Sequence, residues 1–328
     1  MSQEFGLTQV LSAALQEVLQ FLGLQDLIVL LGSGDSASLL SLDGLYALFA
    51  PLIPVLLIIE ILAAIARGQF QWQHFRVPLL TLVTNGIIGR FISLAIAVTV
   101  ASTLQPFALL ETSFTWYWFV YGYLVWEFAH FIYHWAGHKV RLLWCIHSTH
   151  HAPQHMNLSV SYAHFFLEAP YADLVRIGIC TLLGVDPLVL MIVIGIDAIW
   201  GSLIHIGEEL MPDGRMGRLH KYILTPSHHR VHHAKNPVYV DTNYCNLLNV
   251  WDRVFGTYQE QDPNIRPEYG IKRKDGNNFF ECYFGEIASL ARDVRQTPRW
   301  VDKFRYLIMP PNWTPEEGTP VINREGAV

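Results

Sequence analysis

The chain has 328 residues, 52% hydrophobic and 15% charged, with a formal net charge of −6. An average soluble domain carries about 25% charged residues, so this chain is either largely membrane-embedded or unusually apolar. The negative balance excludes nucleic-acid binding driven by bulk charge. The four cysteines, Cys145, Cys180, Cys245 and Cys282, form no CxxC pair and are expected as packed, reduced thiols.

In chain order, the opening MSQEFGLTQVL lacks the basic run of a secretory leader, so membrane insertion is expected from internal segments. Residues 8–32 read as an amphipathic or interfacial helix, because Gln16, Glu17, Gln20, Gln25 and Asp26 interrupt the apolar run. Residues 44–66 are long enough to cross a hydrocarbon core, which takes about 20 residues, and Pro51 and Pro54 predict a kink. Residues 79–103, interrupted by Asn85 and Arg90, form a second candidate span. Residues 113–136 form a third, in which FTWYWFVYGYLVW is expected as an interfacial belt. Residues 165–183 and 187–207 form a fourth and fifth, joined by a tight GVDP turn and expected as a hairpin that crosses only in part.

From residue 208 onward the chain turns polar. Arg67, Arg76, Lys139, Arg141, Arg215, Arg218, Lys221, Arg230 and Lys235 gather on one side of these spans, whereas QPFALLET at 105–112 has neither Lys nor Arg. Positive charge marks the cytoplasmic side. The expected architecture is an all-α integral membrane protein with about four to five spanning or entering helices and a cytosolic, histidine-rich cap. Residues 1–40 form an interfacial segment, 41–207 the membrane helices and 208–328 the cap.

The histidines carry the chemistry. HFIYHWAGH holds His130, His134 and His138; HSTHH holds His147, His150 and His151; HHRVHH holds His228, His229, His232 and His233; His205 stands alone. At about 100° per residue, Glu127, His130, His134 and His138 share one helical stripe. Each HxxHH group likewise offers imidazoles along one helix edge. Imidazole suits zinc, copper, iron and nickel. Nine candidates, His134, His138, His147, His150, His151, His205, His229, His232 and His233, exceed one metal and suit two. A storage tract of histidines is flexible and of low complexity. These alternate with Trp144, Ile146 and Val231, which predicts folded helices. His74, His155, His164 and His220 are expected at the surface or around the site, and His130 alone fits a helix–helix hydrogen bond as well.

The boxes HxxxH at 134–138 and HxxHH at 147–151 and 229–233 resemble the fatty acid hydroxylase/sterol desaturase superfamily of membrane di-iron enzymes. Their surroundings, EFAHFIYHWAGH, LLWCIHSTHHAPQHMNLSVSYAH and TPSHHRVHHAKNPVYVDTNYCNLLNVWDRVFGTY, resemble it too. RPEYGIKR at 266–273 and RYLIMPPNWTPEE at 305–317 are similar to the alkylglycerol monooxygenase branch. The resemblance implies a di-iron oxygenase that uses dioxygen on a lipid alkyl chain, by hydroxylation, desaturation or oxidative ether cleavage. It also implies an electron donor, either a reduced pterin or a redox protein. It places the iron ligands on the nine histidines above. The chain departs from the family at Trp135 (commonly Arg), Cys245 (commonly Gly) and Glu209 (often a further histidine), which makes Glu208 and Glu209 candidates to complete the ligand set.

Glu127, His130, His228, Asn243 and Asp252 are candidates to hydrogen-bond and orient the ligating imidazoles. Arg90 and Asp197 are candidates to pair between spans two and five. Two other readings stay open. One is a membrane zinc lipid hydrolase, zinc being able to replace iron at imidazole sites. The other is a haem or metal carrier without enzymatic activity.

Overall fold

The computed structural model describes residues 7–34, 41–271 and 276–315. Their regular structure is helical, and the only bridge among the described residues is an isolated pair, Ile223 with Leu248. The chain divides into two compact units, Met1–Phe70 and Gln71–Val328.

In the first unit the stretch expected at the interface folds as two helices, α1 (Leu7–Phe21) and α2 (Leu24–Ser33). They part at Gly23, whose φ is 69° and whose absent Cβ would lie 3.0 Å from the Cβ of Ala50. A side chain fits neither that backbone nor that space. α3 (Leu42–Phe49) and α4 (Leu52–Ala66) follow. The expected kink falls at Pro51, while Pro54 sits in the first turn of α4, where a missing N–H costs little. The run Asp43–Ala66 is long and apolar enough to cross a membrane.

The second unit is built on α5 (Gln73–Leu104), α6 (Trp116–Lys139), α8 (Glu168–Leu182) and α9 (Pro187–Leu203). α8 packs against both α5 and α6, and α9 against α6. Their shared core is Tyr123, Trp126 and Ala129 of α6, Ile177 and Cys180 of α8, and Val185, Val189 and Val193. α6 approaches α9 closely because Gly122 has no Cβ: one placed there would meet Val189 Cγ1 at 2.6 Å. The α8–α9 turn is as tight as GVDP predicts. Asp186 accepts from the N–H groups of Leu188 and Val189, and Pro187 opens α9. Gly184 has a φ of 73°, and a Cβ added to it would lie only 2.0 Å from the Leu110 carbonyl oxygen. Gly184→Ala is therefore expected to cost about 1–3 kcal/mol, read as a lower melting temperature in detergent.

α7 (Arg141–His151) leaves α6 after one extended residue and is clamped by the C-terminal helices α12 (Phe279–Gln296) and α13 (Trp300–Ile308). Cys145 of α7 packs with Leu290, Tyr306 and Trp313. Buried Arg141 pairs with Asp293 and stacks 5.2 Å over the Tyr306 ring. α10 (Pro226–His232) and α11 (Val250–Phe255) complete the unit. All four cysteines are buried. The segment after residue 208 is less uniformly polar than composition suggests: α12 and α13 expose Phe280, Trp300 and Phe304.

Two charges counted for orientation are not surface charges. Arg141 is buried as above, and Arg230 turns inward to the carbonyls of Ile206, Met211 and Pro212 at 2.7–3.1 Å. The expected Arg90–Asp197 pair cannot be placed, since the Arg90 side chain lies outside the described residues. Asp197 instead faces Arg176 of α8 at 3.6 Å.

Candidate metal centre

The nine histidines meet as two sets, one of His134, His138, His147, His151 and His232, the other of His150, His205, His229 and His233. In each set one ring nitrogen per residue lies within 4.8 Å of all the others. That spacing suits a cation with imidazole nitrogens about 2.0–2.1 Å away. All nine residues are buried except His138, which is half-buried.

Helical geometry explains the partition. Residues four apart differ by about 40° around the axis, and the residue between them in HxxHH stands about 100° from its neighbour. So His147 and His151 turn to the first set, while His150 turns to the second. On α10 the sense is reversed: His229 and His233 serve the second set and His232 the first. Each HxxHH box therefore bridges two centres instead of offering a single edge, which is where the expectation of one shared face fails. α6 adds His134 and His138 to the first set, and the turn after α9 adds His205 to the second.

Hydrogen bonds orient the rings. His134 Nδ1 lies 2.8 Å from the Tyr244 carbonyl oxygen, and His232 Nδ1 lies 2.7 Å from that of Thr242. A carbonyl can only accept, so these nitrogens carry the protons and each Nε2 presents a lone pair. Both Nε2 atoms, and that of His138, are buried without a hydrogen-bond partner. In the second set, His205 Nδ1 donates to the Gly201 carbonyl at 2.6 Å, and its Nε2 faces those of His229 and His150 at 2.9 and 3.2 Å. Converging lone pairs with unmet buried acceptors are costly until a cation fills the centre. Burial and the surrounding imidazoles hold His150, His151, His229 and His233 far below the usual histidine range. His232 is pushed down to about 3, mainly by burial. Neutral imidazole is the ligating form.

The residues expected to orient these rings act one step further out. Glu127 bonds no imidazole. Two turns from His134 along α6, its carboxylate reaches another target, the backbone N–H groups of Asn246, Leu247 and Leu248 at 2.8–3.1 Å. Asp252 accepts from the N–H groups of Tyr244 and Cys245 at 2.7 and 2.9 Å. Asn243, at φ 57°, bridges the carbonyls of His228 and Gln259 and accepts from Gln259 N–H. Together they pin the 242–248 loop, whose carbonyls hold His134 and His232. His228 joins neither set. It closes a capping box with Thr225 at the start of α10 and meets the Tyr258 hydroxyl at 2.9 Å. His130 also joins neither set, its Nδ1 lying 3.8 Å from Asp197. Neither Glu208 nor Glu209 reaches the sets: Glu208 pairs with Arg266 at 3.1 Å and Glu209 with His155 at 2.8 Å.

Sequence reasoning passed over Glu168. It is buried, accepts hydrogen bonds from His147 Nδ1 and, at 2.8 Å, from the Tyr133 hydroxyl, and lies 2.9 Å from His164 Nδ1. His164 in turn stacks on His150 at 4.3 Å. One carboxylate thus supports a ring in each set. The signal was available: a glutamate inside an apolar segment must be paired. Glu168→Gln cannot match these donors, so metal affinity is expected to fall about 10–100-fold, measured as retention of metal against a chelator.

Comparison with known proteins places this geometry. Residues 119–257 match the fatty acid hydroxylase family. Alkylglycerol monooxygenase from Xenopus tropicalis is 28% identical over 79% of this chain and 58% of its own length. The human protein of that name is 28% identical over 62% of this chain and 44% of its own. Ornithine lipid hydroxylase OlsE from Rhizobium tropici is 28% identical over 61% of each. The chain thus spans about half the length of the curated relatives it matches. No solved structure matches it. The resemblance seen in the histidine boxes is borne out.

Proposed function

We propose that this chain, whose residues 119–257 match the fatty acid hydroxylase family, is a membrane-bound oxygenase with two resident irons that hydroxylates the alkyl part of a lipid. The observation that carries this reading is that both imidazole sets open onto one cavity. The cavity measures about 670 Å³ and is reached by His134 and His147 of the first set and His150, His205 and His229 of the second. Its walls include Leu82, Leu94, Ala172, Ile177 and Ile194. An apolar cleft of this size suits one alkyl chain. Imidazole-held iron supplies dioxygen reduction and the oxidising power to attack an unactivated C–H bond. The chain's part is to hold neutral imidazoles, fix their lone pairs, seat the alkyl chain beside them and exclude water.

The surface supports a membrane setting. On α5, Val83, Phe91 and Val98 are all more than half exposed, a face that suits lipid. The 32 residues of α5 and 24 of α6 reach about 48 and 36 Å, enough for a hydrocarbon core of about 30 Å. The 15 and 17 residues of α8 and α9 reach only about 23 and 26 Å, so this hairpin enters without crossing fully. We read the histidine side as cytoplasmic, which the positive charges of Lys139, Arg215, Arg218, Lys221 and Lys235 on that side support. The relatives' names point to an ether lipid or an aminolipid as substrate, and electrons come from a separate donor, a reduced pterin or a redox protein.

Purified protein loaded with iron is expected to consume dioxygen and form an oxidised lipid only when reductant and lipid are both supplied. Lipid turnover by a zinc-loaded sample without dioxygen would overturn the reading in favour of a hydrolase.

A further inference from the structure

Part of the cavity wall is charged, which neither metal binding nor an alkyl chain requires. Asp173 and Arg176 of α8, Asp197 of α9, His130 of α6 and Asn246 all face it. Charge at this depth in apolar helices is costly and marks a site when it lines a cavity. We propose, resting on the lipid-oxygenase reading above, that these five residues form a head-group subsite for a polar head that donates hydrogen bonds and carries no net negative charge.

The parts are held in place. The Arg176 guanidinium lies 4.8 Å over the Trp126 ring and 5.4 Å over that of Tyr133. Asp173 takes Arg176 at 3.2 Å and the Ser93 hydroxyl, and Asp197 takes Asn246 at 2.5 Å. Arg176 reaches Asp197 only at 3.6 Å, short of the two-pronged fork that a guanidinium makes with a committed partner. Arg176 Nε and His130 Nδ1 are buried with no hydrogen-bond partner. A purely structural ion network would have met both. A ligand in the cavity can meet them, while its own donors bind the carboxylates.

Charge sets the selectivity. Two carboxylates face one guanidinium, so these side chains are formally net negative and disfavour a phosphate seated among them, in opposition to the attraction of the cations held by the imidazole sets. An ammonium or hydroxyl head meets acceptors. Position sets the reach. The His130 and His134 ring centroids are 5.7 Å apart, and Asp197 lies in the last two turns of α9, just before the turn that carries His205. A head seated here brings the carbons nearest to it, rather than the far end of the chain, beside the imidazole sets.

The test uses full-length, metal-loaded protein in detergent and three lipids with the same hexadecyl chain, bearing a glycerol, a primary ammonium or a phosphate head. Each competes with a fluorescent alkyl probe. The glycerol or the ammonium lipid, or both, is expected to bind at least about tenfold more tightly than the phosphate lipid. Asp173→Asn removes one negative charge and is expected to narrow that gap by tightening phosphate binding, with metal content unchanged. Arg176→Gln leaves both carboxylates unopposed and is expected to widen it, and it carries the test if Asp173→Asn fails to fold. Equal binding of the phosphate lipid by the unaltered protein, or a gap that moves in neither variant, overturns the subsite. Ranked binding without lipid oxidation overturns the oxygenase reading and leaves the subsite standing.

Discussion

Alanine at His229 or at His232 is expected to abolish lipid oxidation, a loss on the order of 10³-fold or more, although the two residues belong to the same HxxHH box. Replacing the supporting partner of a ligand costs about 10–100-fold, and removing the ligand itself costs more. The two variants differ in which metal is lost. His229 is one of four rings in the second set, so His229→Ala leaves three there and the first set whole. His232 is the single contribution of α10 to the first set, and its loss leaves four rings in that set. Metal analysis of the purified variants is expected to show one equivalent weakened in each case, more severely for His229→Ala. Variants that keep both equivalents and full activity would sink the assignment of these residues as ligands.

The second large effect is at a residue that touches no imidazole. Glu127→Ala leaves the N–H groups of Asn246, Leu247 and Leu248 without their acceptor. Each buried, unmet donor costs about 1–3 kcal/mol, so the three together rival the whole stability of an ordinary domain. The damage spreads in a definite direction. The same loop presents the Thr242 and Tyr244 carbonyls that orient His232 and His134, so the first set loses its metal before the second. Glu127→Gln is milder, because its amide oxygen still serves Leu247 and Leu248 while the NH2 faces Asn246 N–H. Thermal unfolding in detergent, followed together with metal content, separates these outcomes. Equal loss of both metals would show that the loop does not act through His134 and His232.

Much of this site could be read along the chain. Ligand spacing is local: HxxxH and HxxHH each lie on one helix or its cap, so eight of the nine histidines could be picked out by counting, and only His205 stands outside a box. Hydrophobic runs marked α6, α8 and α9 to within a few residues, but the expected 44–66 span is divided between α3 and α4, and α5 starts six residues before its expected span and carries Pro78 inside it. The supporting groups were legible as residue types but not as contacts. Glu127, Asn243 and Asp252 were expected to hydrogen-bond the ligating imidazoles, yet they hold backbone N–H and carbonyl groups in and around the 242–248 loop, and backbone partners leave no mark in a sequence. Glu168 went unremarked because it stands 21 residues from the ring it holds. The Asp173–Arg176–Asp197 network was equally hidden. Its members lie on two helices, and the expected partner of Asp197 was a different arginine.

The amino-acid sequence by itself therefore determined the all-helical character, the candidate ligands and the resemblance to the fatty acid hydroxylases, because each rests on periodicity or spacing within one segment. Only the tertiary structure decided how nine rings divide into five and four, since that depends on how α6, α7, α10 and the turn after α9 face one another. It likewise decided which carbonyls fix the tautomers and which charges turn toward the cavity. Those choices are made by packing between helices far apart in sequence, where a difference of about 100° around one helix axis sends neighbouring histidines to different centres.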